Sequence, residues 1–291
     1  MANSAAIIVT YNPDLENLTA LVKSLISDGV PSVIVDNGSD CDFSSLQNIP
    51  DLTIAILESN EGIAKAQNIG IDACLLRGFE KVIFFDQDSF IEEGFIGTLL
   101  STFDDQNVRI AAPVFYDRSK GYGYNIVDID AKGARKIIHP EDICTKINVA
   151  VAISSGTIVD IDVFKKVGLM NEELFIDYVD TEWCLRARDN GYLITINPDA
   201  KMLHSIGDRS ISFLGFNIPV HSPIRRYYRV RNAFLLLRFP HVPKYLVFRE
   251  ILFGLVHQAI IFVNTYSKLE YFKSYVKGCW DGVCGRGGRI T

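Results

Sequence analysis

The 291-residue chain is 48% hydrophobic and 22% charged, which supplies the core of one large domain or two small ones and excludes a disordered or fibrous protein. Its six cysteines, Cys41, Cys74, Cys144, Cys184, Cys279 and Cys284, form no CxxC pair, so neither a zinc site nor a disulfide framework is indicated and a reducing, cytoplasmic compartment fits. Residues 1–200 hold 15 Lys and Arg against 31 Asp and Glu, residues 201–291 hold 14 against 4, and the resulting −16 and +10 set a basic end on an acidic body, as in a chain that faces a nucleic acid or an anionic membrane.

The N-terminus MANSAAIIVTYNP lacks the features of a signal peptide, so export is not expected. Residues 5–12 (AAIIVTYN) predict a buried strand, 14–29 an amphipathic helix begun by Asp14 and stopped by Gly29, and 32–37 (SVIVDN) a second buried strand. A third strand follows at 52–57, a helix at 61–78, and a fourth strand at 81–86 (KVIFFD). Apolar strands alternating with helices imply an α/β fold whose mostly parallel sheet is covered on both faces. Ligands of such sheets bind at the carboxyl ends of the strands. The clusters TYN (10–12), DNGSD (36–40) and DQDS (86–89) each follow a strand and are expected on one crevice.

Past residue 104 the pattern loosens. A short strand is predicted at 109–115, an irregular stretch at 119–125, and two strands within 147–159 split by Ser154-Ser155-Gly156. A short helix at 162–168 and a longer one at 178–190, ended by Gly191, follow. After 224 the periodicity is helical. Its most apolar piece, 251–263, has 13 residues, short of the roughly 20 that span a bilayer, which leaves a core helix or one lying in the interface plane.

Asp86 and Asp88, one residue apart where a strand gives way to a loop, suit Mg²⁺ or Mn²⁺ sharing its remaining positions with substrate phosphates. Phosphatases of the haloacid dehalogenase type also carry an apolar strand followed by DxD, with the first Asp as nucleophile. There the motif closes the first strand of the domain, whereas here it follows the fourth. A turn in which Asp88 caps a following helix is the third reading.

The order VTYN (9–12), VDNGS (35–39), NEGIAKAQNIGI (60–71), FFDQDS (84–89), SSGTIV (154–159), FIDYVDTEWCLRARDNGY (175–192) and MLHSIG (202–207) resembles the inverting nucleotide-sugar glycosyltransferases of family 2, which have the GT-A fold. HSIGD (204–208) with RRYYRVRN (225–232) is similar, more narrowly, to bacterial rhamnosyltransferases that use dTDP-L-rhamnose. The resemblance implies a Rossmann-like GT-A domain over 1–220 and a basic, apolar helical extension over 221–291. Thr10, Tyr11, Asn12 and Asp36 would hold base and ribose; Asp36 serves either that role or the DNGSD turn alone. Asn60, Gly62, Lys65 and Asn68 would meet the donor diphosphate at a helix start, with Lys65 alternatively a solvated helix residue. Asp86, Gln87 and Asp88 complete the donor side, and Asp86, Asp88 and His204 are the implied metal ligands.

An inverting transfer needs a general base for the acceptor hydroxyl. Asp180 takes that role by the resemblance, although Val179 stands where the family commonly has a Glu; Glu182 is the second candidate. Arg225, Arg226 and Arg231 are candidates for an anionic group. Arginines interleaved with tyrosines can track nucleic acid, but the body's −16 opposes that, and a lipid-linked diphosphate acceptor at the inner membrane face explains the arginines and the apolar helices together. The expected function is transfer of L-rhamnose from dTDP-L-rhamnose to a lipid-linked O-antigen or capsule-type saccharide. The alternatives are another donor such as UDP-galactofuranose or a UDP-hexose, a dehalogenase-type phosphatase, and a silent sugar-nucleotide-binding partner. Self-association stays open.

Overall fold

The computed structural model describes residues 3–117, 121–204, 210–213, 216–219, 221–265 and 267–290, with 204, 210–213 and 216–219 described by their backbone alone. The first half follows the expected alternation within two residues at most boundaries: β1 (Ser4–Thr10), α1 (Leu15–Ser27), β2 (Ser32–Asp36), β3 (Leu52–Ile56), α2 (Ile63–Leu76) and β4 (Lys81–Asp86). Asp14 starts α1 by accepting from the backbone N–H of Glu16 and Asn17, as an N-cap carboxylate does. Then come α3 (Phe95–Leu100), β5 (Ile110–Asp117), β6 (Ile126–Ile129), β7 (Arg135–Ile138), β8 (Ile147–Val149), β9 (Ile158–Asp160), α4 (Ile161–Val167), α5 (Val179–Asp189) and β10 (Ile194–His204). The chain closes with β11 (Ser210–Phe213), β12 (Phe216–Pro219), α6 (Pro223–Leu235), α7 (Lys244–Asn264) and α8 (Lys268–Val283).

Among the described residues, eight strands form one sheet in the order β3-β2-β1-β4-β9-β5-β10-β8. The β3-β2-β1-β4 half is parallel, and β9 and β8 enter antiparallel. Successive residues of β1 point to opposite faces: Ala5 and Ile7 pack under α2 with Phe84, Ala6 and Ile8 under α1 and α3 with Phe85. Both faces are therefore covered, which is why these strands read as continuous apolar runs. Gly70 lets α2 approach β1, because a Cβ there would collide with the Ile7 side chain.

The run 147–159 holds two strands, as expected, but they are not neighbours: β8 forms the sheet edge against β10, β9 lies between β4 and β5, and the segment between them crosses the end of the sheet. The β6–β7 hairpin was not foreseen, its strands being four residues each and mostly half-buried or exposed. The apolar piece of 13 residues is only the latter part of α7, which runs 21 residues because Tyr245 to Phe248 extend it and Arg249 and Glu250 pair with each other at 2.9 Å. By length and composition α7 could cross a membrane, so the expectation that it is too short does not hold.

The helical extension packs onto the body. Asn232, at the buried side of α6, donates to the carbonyls of Leu174 (2.7 Å), Ile176 (2.7 Å) and Asp177 (3.0 Å), and Phe175 stacks on Tyr228 at 4.5 Å. On α7, Glu250 accepts from Arg135 of β7 at 3.0 Å.

Candidate functional site

The register Thr10↔Asp36 and Val9↔Asp86 brings the ends of β1, β2 and β4 to one edge. Strand order changes direction there, with β2 on one side of β1 and β4 on the other, which opens a crevice. The Tyr11 N–H spans it, donating to Gln87 Oε1 at 2.7 Å, and the Tyr11 ring stays exposed. Asp36 is fully buried: Oδ1 accepts from the hydroxyls of Thr10 (2.8 Å) and Ser39 (2.5 Å), Oδ2 from the Ser39 N–H (2.7 Å). Asn12 joins the same turn, its N–H donating to Ser39 Oγ at 2.7 Å. Asp36 thus staples the DNGSD turn and sets the shape of the crevice floor.

The loop between β8 and β9 joins the two carboxylates that matter most. The Asp86 N–H donates to Ser155 Oγ at 3.2 Å, and the neighbouring Ser154 N–H donates to Asp180 Oδ2 at 3.2 Å. Asp180 lies in the first turn of α5. Burial, then the charge of Asp88, pushes Asp86 up to about 6 against the pull of Arg225. Asp180 is also pushed up to about 6, by burial first, with Asp86 and Asp177 adding to it and the Ser154 N–H opposing. Two carboxylates thus feel each other across the crevice, one beside a second acid at a strand end and one in the first turn of a helix.

Asp86 and Asp88 have the chemistry of a hard-cation site, since a cation would relieve the repulsion that raises Asp86. Among the described residues no group of three His, Cys, Asp or Glu gathers to hold a metal. The backbone of residue 204 lies beside this turn, because the Leu203 N–H donates to the Phe90 carbonyl at 3.3 Å; the side chain of His204 and the rest of HSIGD lie outside the described residues.

Several expected residues are employed elsewhere. The start of α2 is filled from within, as the N–H groups of Ile63 and Ala64 donate to the Phe175 carbonyl at 2.8 and 3.4 Å. Gly62 makes room for Phe175, whose ring a Cβ would meet at 2.7 Å. Asn60 accepts from the Gly62 N–H at 3.0 Å, Lys65 pairs with Glu61 at 3.0 Å on the surface, and Asn68 is buried against Met170 and Glu172. Gly62 and Asn68 therefore tie α2 to the segment leading into α5 rather than facing a diphosphate, whereas Asn60 and Lys65 bond only within their own turn. Glu182 is also corrected: 1% exposed, it is held by Arg186 at 2.9 Å and His241 at 2.8 Å, away from the crevice. Of the arginines, Arg225 faces the site, reaching Asp177 at 3.4 Å. Arg231 is fully buried and clamps the carbonyls of Glu173, Leu174 and Gly288. Arg226 lines a separate cavity between α6, α7 and α8.

Sequence reasoning missed the support of Asp180. Phe175, Asp177 and Tyr178 have φ of 64°, 63° and 62°, a conformation that costs of order 1–3 kcal/mol at a non-glycine residue unless its surroundings hold it. Asn232, Arg231 and Tyr228 supply that hold. Tyr178 donates to Glu250 Oε2 at 2.8 Å and carries Arg229 over its ring at 5.5 Å. Only the FIDYVD spelling signalled this loop; its backbone shape could not be read.

The parallel half-sheet, its crevice and the DQD turn are those of a nucleotide-sugar transferase, and the glycosyl transferase family 2 model matches residues 5–168. The chain belongs to that family, which sets the dehalogenase-type phosphatase aside. It is 50% identical over 293 residues to dTDP-rhamnosyl transferase RfbF from Shigella flexneri, covering 100% of this chain and 99% of that one. TarS 1-349 from S. aureus has a similar fold at 18% identity, covering 98% of this chain and 81% of that chain with a TM-score of 0.60. GalNAc-T7 with UDP, GalNAc and Mn²⁺ matches at 15% identity and a TM-score of 0.57 over 92% of this chain; the chain spans 58% of that protein. The GT-A expectation is borne out by these likenesses and by the sheet.

Proposed function

We propose that the chain is an inverting, metal-dependent rhamnosyltransferase that moves L-rhamnose from dTDP-L-rhamnose to a lipid-linked surface saccharide at the inner face of the plasma membrane. The donor follows from the 50% identity with RfbF over the whole chain. The observation that carries the chemistry is Asp180, raised to about 6 and tethered through Ser154 and Ser155 to the turn that bears Asp86. A carboxylate poised near the working pH is suited to take a proton from the acceptor hydroxyl as it attacks the anomeric carbon. Thr10, Tyr11, Asn12 and Gln87 line the donor side, and Arg225 faces Asp86 with a positive charge that favours the diphosphate. Asp86, Asp88 and His204 would hold Mg²⁺ or Mn²⁺, which would neutralise the departing diphosphate.

Membrane contact is supported by the outer surface of α7 and α8, where Phe248, Leu252, Phe253, Leu255, Val263 and Trp280 are exposed beside a chain end of net charge +10. An apolar helical face with basic flanks binds anionic leaflets. Hydrolysis of a donor panel tests the reading: dTDP-L-rhamnose is expected to be cleaved in preference to UDP- and GDP-sugars, and preference for a UDP-hexose or UDP-galactofuranose overturns the donor assignment. Binding of dTDP-L-rhamnose with no turnover under any condition would leave the chain a silent partner instead.

A further inference from the structure

The cavity between α6, α7 and α8 has a volume of about 530 Å³ and an apolar wall that includes Val230, Phe234, Phe253, Val256 and Ile260. Three guanidinium groups line it, Arg135, Arg226 and Arg229; Arg135 pairs with Glu250 at 3.0 Å and Arg229 with Asp177 at 3.9 Å. Arg226 is 3% exposed, and its nitrogens meet only Gln258 Oε1 (3.3 Å), His257 Nδ1 (3.3 Å) and the Gly254 carbonyl. Among the described residues no carboxylate pairs with it. Burial, then the like charge of Arg229, lowers its pKa to about 10, so it stays a cation at neutral pH. A buried charge without a counter-charge is costly, and that cost is recovered when an anion arrives. Beside Arg226, the Gln258 amide nitrogen is buried without a hydrogen-bond partner.

A second cavity of about 580 Å³ lies on the other side of Tyr178, Arg135 and Glu250, the three residues that line both. Asp180 and Thr181 open into this second cavity. The partition is a hydrogen-bonded cluster, Glu250 accepting from Arg135 at 3.0 Å, Arg249 at 2.9 Å and Tyr178 at 2.8 Å. On its outer side the first cavity reaches Phe253 and Val256, which belong to the exposed apolar face of α7.

We infer that the α6–α8 cavity binds a phosphorylated or diphosphorylated lipid, with Arg226 and Arg229 on the phosphate and the hydrocarbon chain leaving along α7. The phosphate sits on one side of the Tyr178–Glu250–Arg135 partition, and a saccharide attached to it extends past the partition to Asp180. The three features agree only for an amphiphilic anion: a free anion has no use for the apolar wall, and a neutral lipid leaves Arg226 uncompensated. This assignment rests on the proposed reading of the acceptor as lipid-linked; it adds where and by which side chains the lipid phosphate is held.

The test uses the full-length protein and thermal unfolding, with farnesyl diphosphate, inorganic diphosphate and farnesol as probes and dTDP present throughout so that the donor crevice is filled. Farnesyl diphosphate is expected to raise Tm by about 5–10 °C at a hundredfold excess over its Kd, and the other two by far less. An equal shift from inorganic diphosphate makes the cavity a plain anion site, and an equal shift from farnesol makes it a plain apolar one; either overturns the inference. Arg226→Met removes the cation with an apolar side chain of similar reach, so the unliganded Tm is expected to hold or rise while the farnesyl diphosphate shift disappears. Retention of the shift in that variant overturns the inference. Gly254→Leu gives a second handle: Gly254 lines the cavity on a helix and a Cβ there meets nothing within 4 Å, so the chain should fold with the cavity narrowed and the shift lost; a shift kept in full overturns the inference. Cleavage of dTDP-L-rhamnose by a protein that ignores farnesyl diphosphate would sink this site alone, whereas loss of both would sink the proposed function.

Discussion

Replacing Asp180 with Asn is expected to stabilise the unliganded protein while nearly abolishing transfer. The carboxylate is raised from 3.8 to about 6, and at about 1.4 kcal/mol per tenfold that sets an upper limit of about 3 kcal/mol on the cost of keeping it charged in the fold. Asp86 and Asp180 share part of their repulsion, so about 1–2 kcal/mol is the expected gain. The sign follows from proton binding: between about pH 4 and pH 6 the folded state holds a proton that the unfolded chain has released, so wild-type stability falls as pH rises through that window and the full deficit is present at pH 7. Asn retains an oxygen for the Ser154 N–H and loses the charge. Urea unfolding at pH 7 should show the variant ahead, and at about pH 4 the difference should vanish. Donor affinity should survive while transfer falls by roughly 10² to 10⁴, and wild-type kcat/KM should drop about tenfold per pH unit below 6. Equal stability at pH 7 together with a flat rate between pH 7 and pH 5 would refute the assignment of a raised pKa and of the base.

Glu182→Gln is the matching control: it leaves Arg186 and His241 facing a neutral amide in a buried cluster, so about 2–4 kcal/mol of stability should be lost with kcat per folded molecule unchanged, and a selective loss of transfer would move the base to Glu182. Asp88→Ala should remove the Mn²⁺ dependence of dTDP binding along with turnover; metal-dependent binding that persists unchanged rejects the Asp86–Asp88 pair. Asn232→Ala strips donors from three carbonyls of the strained loop before Asp180, at about 1–3 kcal/mol for each group left unsatisfied and with partial relaxation, so a loss of about 2–4 kcal/mol and a kcat that falls further than donor affinity are expected by urea unfolding and steady-state kinetics. Leu252→Glu combined with Leu255→Glu, both on exposed positions of α7, should release the protein from anionic vesicles in a sedimentation assay without changing Tm; co-sedimentation equal to wild type would reassign that face.

The nucleotide-binding half was legible because its signals are local. β1, β2 and β4 are buried on both faces and so are written as unbroken apolar runs, each ending in a polar cluster, and Asp14 and Gly29 punctuate α1 in the expected places. Asp86 and Asp88 were found the same way, at a strand end, whereas Asp180 was reached only through the family resemblance of FIDYVDTEWCLRARDNGY. The second half resisted because its strands are short or partly exposed: β6 and β7 have no strong apolar alternation, and β8 and β9 are three residues each, their places in the sheet decided by partners far away in sequence.

Sequence by itself determined the α/β class, the parallel order implied by alternating strands and helices, the edge on which the carboxylates gather, and the family through its spaced motifs. Tertiary structure alone decided what those residues are free to do. Asn68 and Glu182 look like site residues in the chain, yet Asn68 is consumed by Met170 and Glu182 by His241 as well as by its helix neighbour Arg186, and no local pattern announces the distant partners. Arg226 and Arg231 are written alike in RRYYRVRN, but the helix turns one into a cavity and the other into a lattice of backbone carbonyls. The physical reason is range: propensity, burial period and capping act within a turn or two, whereas the charge a buried group feels depends on everything packed around it.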